Sequence, residues 1–144
     1  MNRLYIFGRQ RQIPSLHRDA IREITRHRSA GRRLFIVSST LDYLADPIGE
    51  YVQIASRFTT RLEIIRDQYM GRVLGSVYYG VRKGQLLQRL ARKENIDLER
   101  SFAYGDSVQD AAMLEQVGRP CAVNPDRVLY RLARQRQWAI VCWR

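Results

Sequence analysis

At 144 residues, 45% of them hydrophobic, the chain is sized for a single domain with a real core. No apolar stretch approaches the ~18 residues of a membrane span, and the start, MNRLYIFGRQ, lacks the long apolar run and cleavage site of a secretion signal, which reads as a cytoplasmic chain. Lys and Arg total 25 against 14 acids, all but Lys83 and Lys93 being arginine. The net charge of +11 favours anionic partners, but the arginines are scattered rather than run together, which fits non-specific attraction better than a basic arm. Two cysteines, Cys121 and Cys142, are too few for a disulfide framework and read as reduced thiols in or near late strands.

In chain order, strand and helix signals alternate. Residues 3–7 (RLYIF) form a short apolar run ending at Gly8, a predicted first strand. Ile13-Pro14-Ser15 opens a helix with Leu16, Ala20, Ile21 and Ile24 on its apolar face and a stop at Ala30-Gly31. Leu34 to Val37 is a predicted buried strand ending at Ser38-Ser39-Thr40, and a helix over about 41–54 follows, disturbed by Pro47. Residues 57–79 are rich in Thr, Ile, Val and Tyr, with a turn signal at Asp67-Gln68 and glycines at 71 and 75. They predict strands with a hairpin near 61–75. Lys83 to Glu94 is an amphipathic helix with Leu86, Leu87, Leu90 and Ala91 inward. A strand at Phe102–Tyr104, a strand near 120–123, a helix around 126–136 and a closing strand at Ala139–Cys142 complete the pattern. There are no repeats, and the fold class is α/β: a three-layer Rossmann-like domain over 1–144, with a mainly parallel sheet and helices on both faces.

The stretch SFAYGDSVQDAAML, residues 101–114, carries the chemistry. It reads as strand, tight turn and helix start, placing Asp106 at the carboxyl end of a buried strand, where open α/β sheets bind ligands. Asp110 follows four residues later, so a helix begun by Ser107 would point both carboxylates the same way. Such a pair suits a hard cation such as Mg²⁺ shared with a phosphate. The same residues equally suit a plain cap, with Asp106 or Ser107 accepting from free helix N–H groups. Ser38 also lies at a predicted strand end, where a hydroxyl and the following N–H groups of Ser39 and Thr40 can hold a phosphate oxygen. Lys83, at a predicted helix start, offers a compact ammonium to a phosphate or carboxylate. Asn124-Pro125-Asp126 adds polar groups after the next strand, although it is also an ordinary turn initiator.

Ser38, Lys83 45 residues on and the GDSVQD of Asp106 23 residues beyond that resemble the haloacid dehalogenase superfamily of phosphohydrolases. Specifically, they look like the subfamily of phosphoserine phosphatase and its relatives with a helical cap. RLEIIRDQYMGRVLG, YYGVRKGQLLQRLA, YGDSVQDAAMLEQVG and CAVNPDRVLYRLARQRQW look like successive family segments, and the resemblance covers roughly residues 13–142. It implies phosphate binding by Ser38, Ser39 and Lys83, with Lys83 also the catalytic lysine that steadies a phosphoaspartate. It implies Mg²⁺ as cofactor, with Asp106 as ligand and Asp110 supporting the metal site, and a phosphorylated small molecule as substrate.

The family begins with an apolar strand running into Asp-x-Asp, whose first carboxylate attacks phosphorus in a covalent two-step hydrolysis. No Asp-x-Asp occurs here, the first acidic residue is Asp19, and the helical cap has no room. Two arrangements fit. In one, residues 3–7 are the family's first strand, lying between the Ser38 and Asp106 strands, and Gly8 and Gln10 stand at the aspartate positions. In the other, the chain is the C-terminal part of a longer phosphatase. Three functional readings follow. The first is an inactive phosphatase-type domain that still binds phosphate and, weakly, Mg²⁺. The second is a phosphomonoesterase active only when a missing N-terminal segment or a partner supplies the aspartates. The third is a basic module for nucleic acid or anionic surfaces. An uncapped apolar rim would also favour self-association into a homo-oligomer.

Overall fold

A computed structural model describes residues 16–144. The strand expected at 3–7, with Gly8 and Gln10, lies outside the described residues. By internal contact the chain divides into two compact units, one reaching Tyr78 and including Arg144, the other running from Tyr79 to Trp143.

The first unit begins with helix α1, Arg18–Ser29, stopped as expected where Gly31 takes a positive φ of 72°. Strand β1, Phe35–Leu41, helix α2, Asp42–Tyr51, and strands β2, Ser56–Ile65, and β3, Gln68–Leu74, follow. Strand β2 is shared along its length. Its first half pairs parallel with β1, Phe35 opposite Ser56 through Leu41 opposite Thr60. Its second half pairs antiparallel with β3, Arg61 opposite Leu74 through Ile65 opposite Gln68. The predicted hairpin is therefore the outer extension of a core strand. Its two-residue turn is Arg66-Asp67, one residue earlier than the composition signalled, with φ of 49° and 60°. Two positive φ values are what a type I′ turn demands and what the right-handed strand twist favours. The hairpin leaves Ile64, Ile65, Met70, Val73 and Leu74 about half exposed.

Strand β1 corrects one expectation. It does not stop before Ser38 but continues to Leu41, and its ladder to β2 shifts between Val37 and Leu41. Ser38, Ser39 and Thr40 occupy that irregularity. Ser38 Oγ accepts from the Thr40 N–H at 3.0 Å, and the Thr60 hydroxyl donates to the Ser39 carbonyl at 2.7 Å. Serine hydroxyls bonding two residues on compete with regular pairing, which accounts for the bulge. Pro47 sits fully buried inside α2, and Gly49 has no room for a Cβ because the Arg57 side chain passes beneath it. Arg57 there pairs with Asp46 at 3.1 Å.

The second unit contains helix α3, Val81–Glu94; strand β4, Phe102–Gly105; a 3-10 turn at Val108–Asp110 leading into helix α4, Ala111–Leu114; strand β5, Arg119–Val123; helix α5, Arg127–Arg136; and strand β6, Ala139–Val141. The three strands pair parallel in the order β4-β5-β6. Among the described residues three of the four strand pairings are parallel, which matches the mainly parallel α/β class. The core here is Leu86, Ala103, Met113, Leu114, Ala122, Val123, Leu129 and Ala133, with Leu114, Ala122, Leu129 and Ala133 wholly buried. Cys121 is buried in β5 and Cys142 is exposed beyond β6, and neither is in a disulfide. No described helix is long and apolar enough to cross a membrane.

Buried His27 closes α1 in the first unit. Its Nδ1 lies 3.2 Å from Arg32 Nη1 and its Nε2 3.4 Å from Glu23, an arrangement that the neutral, Nε2-protonated ring satisfies. Loss of hydration, and then the Arg26 charge, lower its pKa, with Glu23 opposing. The folded state therefore binds fewer protons than the unfolded one, so stability falls as pH drops through the unfolded value of ~6.5. The urea midpoint should fall more between pH 7.5 and 5.5 for the parent than for His27→Gln. Equal losses would place the acid sensitivity elsewhere.

Candidate active site

The stretch Gly105–Asp110 links the end of β4 to the start of α4, as the sequence predicts, but through a 3-10 turn. Asp106 consequently lies in the loop ahead of the helix, not on its first turn. Ser107 is the cap: its hydroxyl accepts from the Gln109 N–H at 3.3 Å, and Asp110 completes a capping box. Capping is thus done by Ser107 and Asp110, while Asp106 is left on an exposed residue.

Asp110 does more than cap. Its Oδ1 meets Lys83 Nζ at 2.5 Å, and its Oδ2 accepts the N–H groups of Asp106 at 3.0 Å and Ser107 at 3.3 Å. Lys83 and Asp110 are only 7% and 6% exposed, so the ion pair is formed out of water. Two glycines make the approach feasible. A Cβ on Gly84 would stand 2.7 Å from the Ala112 carbonyl oxygen, and one on Gly105 would stand 2.5 Å from Asp110 Cβ. Gly84 therefore lets α3 close on α4, and Gly105 lets the Asp110 carboxylate reach back to the loop. Gly84 was open to sequence reasoning, because a glycine inside a helix costs about 1 kcal/mol and signals a close approach.

The Asp106 carboxyl is pushed upward from its ordinary pKa, first by loss of hydration and then by the Asp110 carboxylate, with Lys83 pulling the other way. A cation beside Asp106 would relieve that pressure. Asp126 braces the loop from the α5 side. Its Oδ1 accepts from Leu129 N–H at 2.7 Å, its Oδ2 from Val108 N–H at 3.0 Å, and its own N–H donates to the Asp106 carbonyl at 2.8 Å. The Leu129 and Val108 bonds hold its pKa below the ordinary value. Asn124, expected on the same rim, instead exchanges two hydrogen bonds with the Trp143 backbone, at 3.0 and 3.1 Å.

Lys83, Asp106 and Asp110 are thus brought together, with Ser107 and Asp126 as their local support. Ser38 and Ser39 belong to the first unit, in the β1 irregularity. Among the described residues no cluster of three or more His, Cys, Asp or Glu forms a complete metal cage. One accessible carboxylate does fit Mg²⁺ bound mainly through water and phosphate, which is how that ion usually binds. A shallow cavity of about 480 Å³ at the start of α1, lined by Leu16, His17, Arg18, Asp19, Arg22 and Arg144, contains none of the predicted site residues.

The buried pair makes a direct prediction. Lys83→Met or Asp110→Asn alone strands the partner charge and should cost about 3–5 kcal/mol. The double variant should cost less than the sum of the two by more than about 1 kcal/mol in urea unfolding. Additivity within about 0.5 kcal/mol would mean that the two groups are not coupled.

A family model described as haloacid dehalogenase-like hydrolase matches residues 1–115. An inhibition of morphological differentiation protein of Streptomyces azureus is 39% identical over 128 residues, which is 89% of this chain and 46% of that protein. A phosphoserine phosphatase of Mycobacterium tuberculosis is 35% identical over 123 residues, 85% of this chain and 40% of its own. Among solved structures, a phospho-aspartyl intermediate analogue of phosphoserine phosphatase matches with a TM-score of 0.69 and 27% identity, over 85% of this chain and 56% of that one. A Bordetella pertussis protein of unknown function matches with a TM-score of 0.83 and 28% identity, over 96% and 63%. The chain spans less than half the length of the two curated relatives. It belongs to the haloacid dehalogenase-like hydrolase family.

Proposed function

We propose that this chain is a phosphatase-type domain that binds a phosphate group and, weakly, Mg²⁺, but does not by itself hydrolyse phosphomonoesters. The observation that carries the reading is the Lys83–Asp110 pair beside exposed Asp106, in a sequence with no Asp-x-Asp. The ammonium and the carboxylate loop are positioned for an anionic group and a cation. In the arrangement that makes residues 3–7 the family's first strand, Gly8 stands at the attacking aspartate and Gln10 at the second. Losing that group removes the covalent route itself rather than tuning it.

Within this reading Asp106 holds the metal. Asp110 acts through the loop, because both its oxygens are already engaged by Lys83 and by two N–H groups. Lys83 neutralises phosphate charge. Mg²⁺, when bound, supplies charge neutralisation at phosphate oxygens. A second reading is supported by length. Since the chain spans 46% and 40% of the two curated relatives, an additional segment or a partner supplying two aspartates would complete a phosphomonoesterase.

The full chain with an aryl phosphate and Mg²⁺ should show no turnover above background. Turnover abolished by Asp106→Asn would mean that another residue serves as nucleophile. Gly8→Asp with Gln10→Asp tests the alignment. By the family pattern the new carboxylates share the metal with Asp106, so without metal they repel and Tm should fall. Mg²⁺ should then restore it, by roughly 2.7 kcal/mol at a hundredfold excess over the dissociation constant. An equal Mg²⁺ response in variant and parent would place residues 8 and 10 away from the metal.

A further inference from the structure

The excess positive charge is not spread evenly over answered and unanswered groups. On α1, Arg22 pairs with Asp19 at 3.4 Å, Arg26 pairs with Glu23, and Arg28 donates to the Val52 and Gln53 carbonyls. Helix α5, RVLYRLARQR, contains four arginines and no acid. Arg136 meets Glu115 at 3.5 Å, whereas Arg127, Arg131 and Arg134 have no ion-pair partner among the described residues. These three share one stripe with Tyr130, at spacings i, i+3, i+4 and i+7, and all four are exposed, Tyr130 by 48%. Leu129 and Ala133, wholly buried, fix the opposite side of the helix to the core. The stripe is thus held in place and turned to solvent.

We infer that the outer face of α5 is a docking surface for single-stranded nucleic acid. A helix rise of ~1.5 Å per residue sets Arg131 about 6 Å beyond Arg127, and Arg134 about 4.5 Å further, a run of positive charge able to follow a phosphate backbone. Tyr130 beside that run offers a π-face to an unpaired base, and stacking on aromatic side chains between basic groups is how such strands are held without sequence preference. A membrane surface is the poorer fit. An interfacial helix needs a free apolar face to bury in lipid, and here that face is consumed by Leu129 and Ala133 in the core. Duplex is also the poorer fit, because paired bases offer no face to Tyr130. This surface is independent of the phosphate and metal reading and stands or falls apart from it.

The test is fluorescence anisotropy of a labelled 20-nucleotide oligo(dT) with the full chain, between 50 and 200 mM salt. Arg127→Gln with Arg131→Gln and Arg134→Gln should lower the slope of log affinity against log salt by about 2, at ~0.7 per phosphate contact. Tyr130→Ala should weaken binding about fivefold or more, and Tyr130→Phe should keep the parent affinity. The charge control is Arg82→Gln with Arg89→Gln and Arg92→Gln on α3, which should change affinity less than twofold, each variant first matched to the parent in thermal unfolding. Four results would overturn the inference: no binding by the parent, equal losses in the two triple variants, no effect of Tyr130→Ala, or tighter binding to an equal length of duplex or to vesicles of anionic phospholipid.

Discussion

A buried lysine–aspartate pair is the constraint on which the candidate site depends. Lys83 comes from α3 and Asp110 from the 3-10 turn ahead of α4, and they meet at 2.5 Å with almost no exposure to water. Dehydrating two charges costs several kcal/mol each, and an apolar pair of similar volume is often at least as stable. Stability is therefore a poor reason for the pair, and position is a better one. Asp110 ties Lys83 to the N–H groups of Asp106 and Ser107, so the lysine, the loop and the start of α4 are located by one carboxylate. Gly84 and Gly105 are the steric conditions for that contact, since a Cβ at either would collide with α4 or with Asp110 itself.

Much of this was readable from residue order. Apolar runs ending at turn residues located β1, β4, β5 and β6, and helical spacing located α1, α3 and α5 to within a few residues. The misses have local causes. Strand β1 outran its prediction because Ser38 and Thr40 bond within a bulge rather than ending the strand, a choice made by pairing with β2. The hairpin turn moved back one residue because Gln68 pairs with Ile65 in the strand ladder, which leaves Arg66-Asp67 as the turn. Helix α3 begins at Val81, so Lys83 is its third residue, within the first turn, and is buried. At the site, spacing singled out Lys83, Asp106 and Asp110 but not their division of labour. Which carboxylate is consumed by the lysine follows from distances that four-residue spacing leaves open. Asp126 was expected as a polar group of the rim or a turn residue, yet it braces the Asp106 loop through two bonds that no local pattern encodes.

Family membership does not by itself decide activity. The haloacid dehalogenase-like match extends over most of the chain, and its relatives include a phosphoserine phosphatase, but a fold carries chemistry only where its site residues are present. Lys83, Asp106 and Asp110 are brought together in this chain. Under the proposed alignment, Gly8 and Gln10 stand where the family pattern has its two aspartates. An Arg-rich outer helix then gives the same molecule a second, electrostatic surface that owes nothing to the family reaction.

The central claim is that Asp106, on a loop held by Asp110, is the cation-binding carboxylate. Titrating the full chain with Mg²⁺ while following its assigned backbone amide signals tests this most directly. The account predicts shifts confined to residues 105–110 and 124–126, saturating on the order of millimolar Mg²⁺ as expected for a site with few charged ligands. Silent amides there, or shifts centred on other acids such as Asp42 and Asp46, would contradict it.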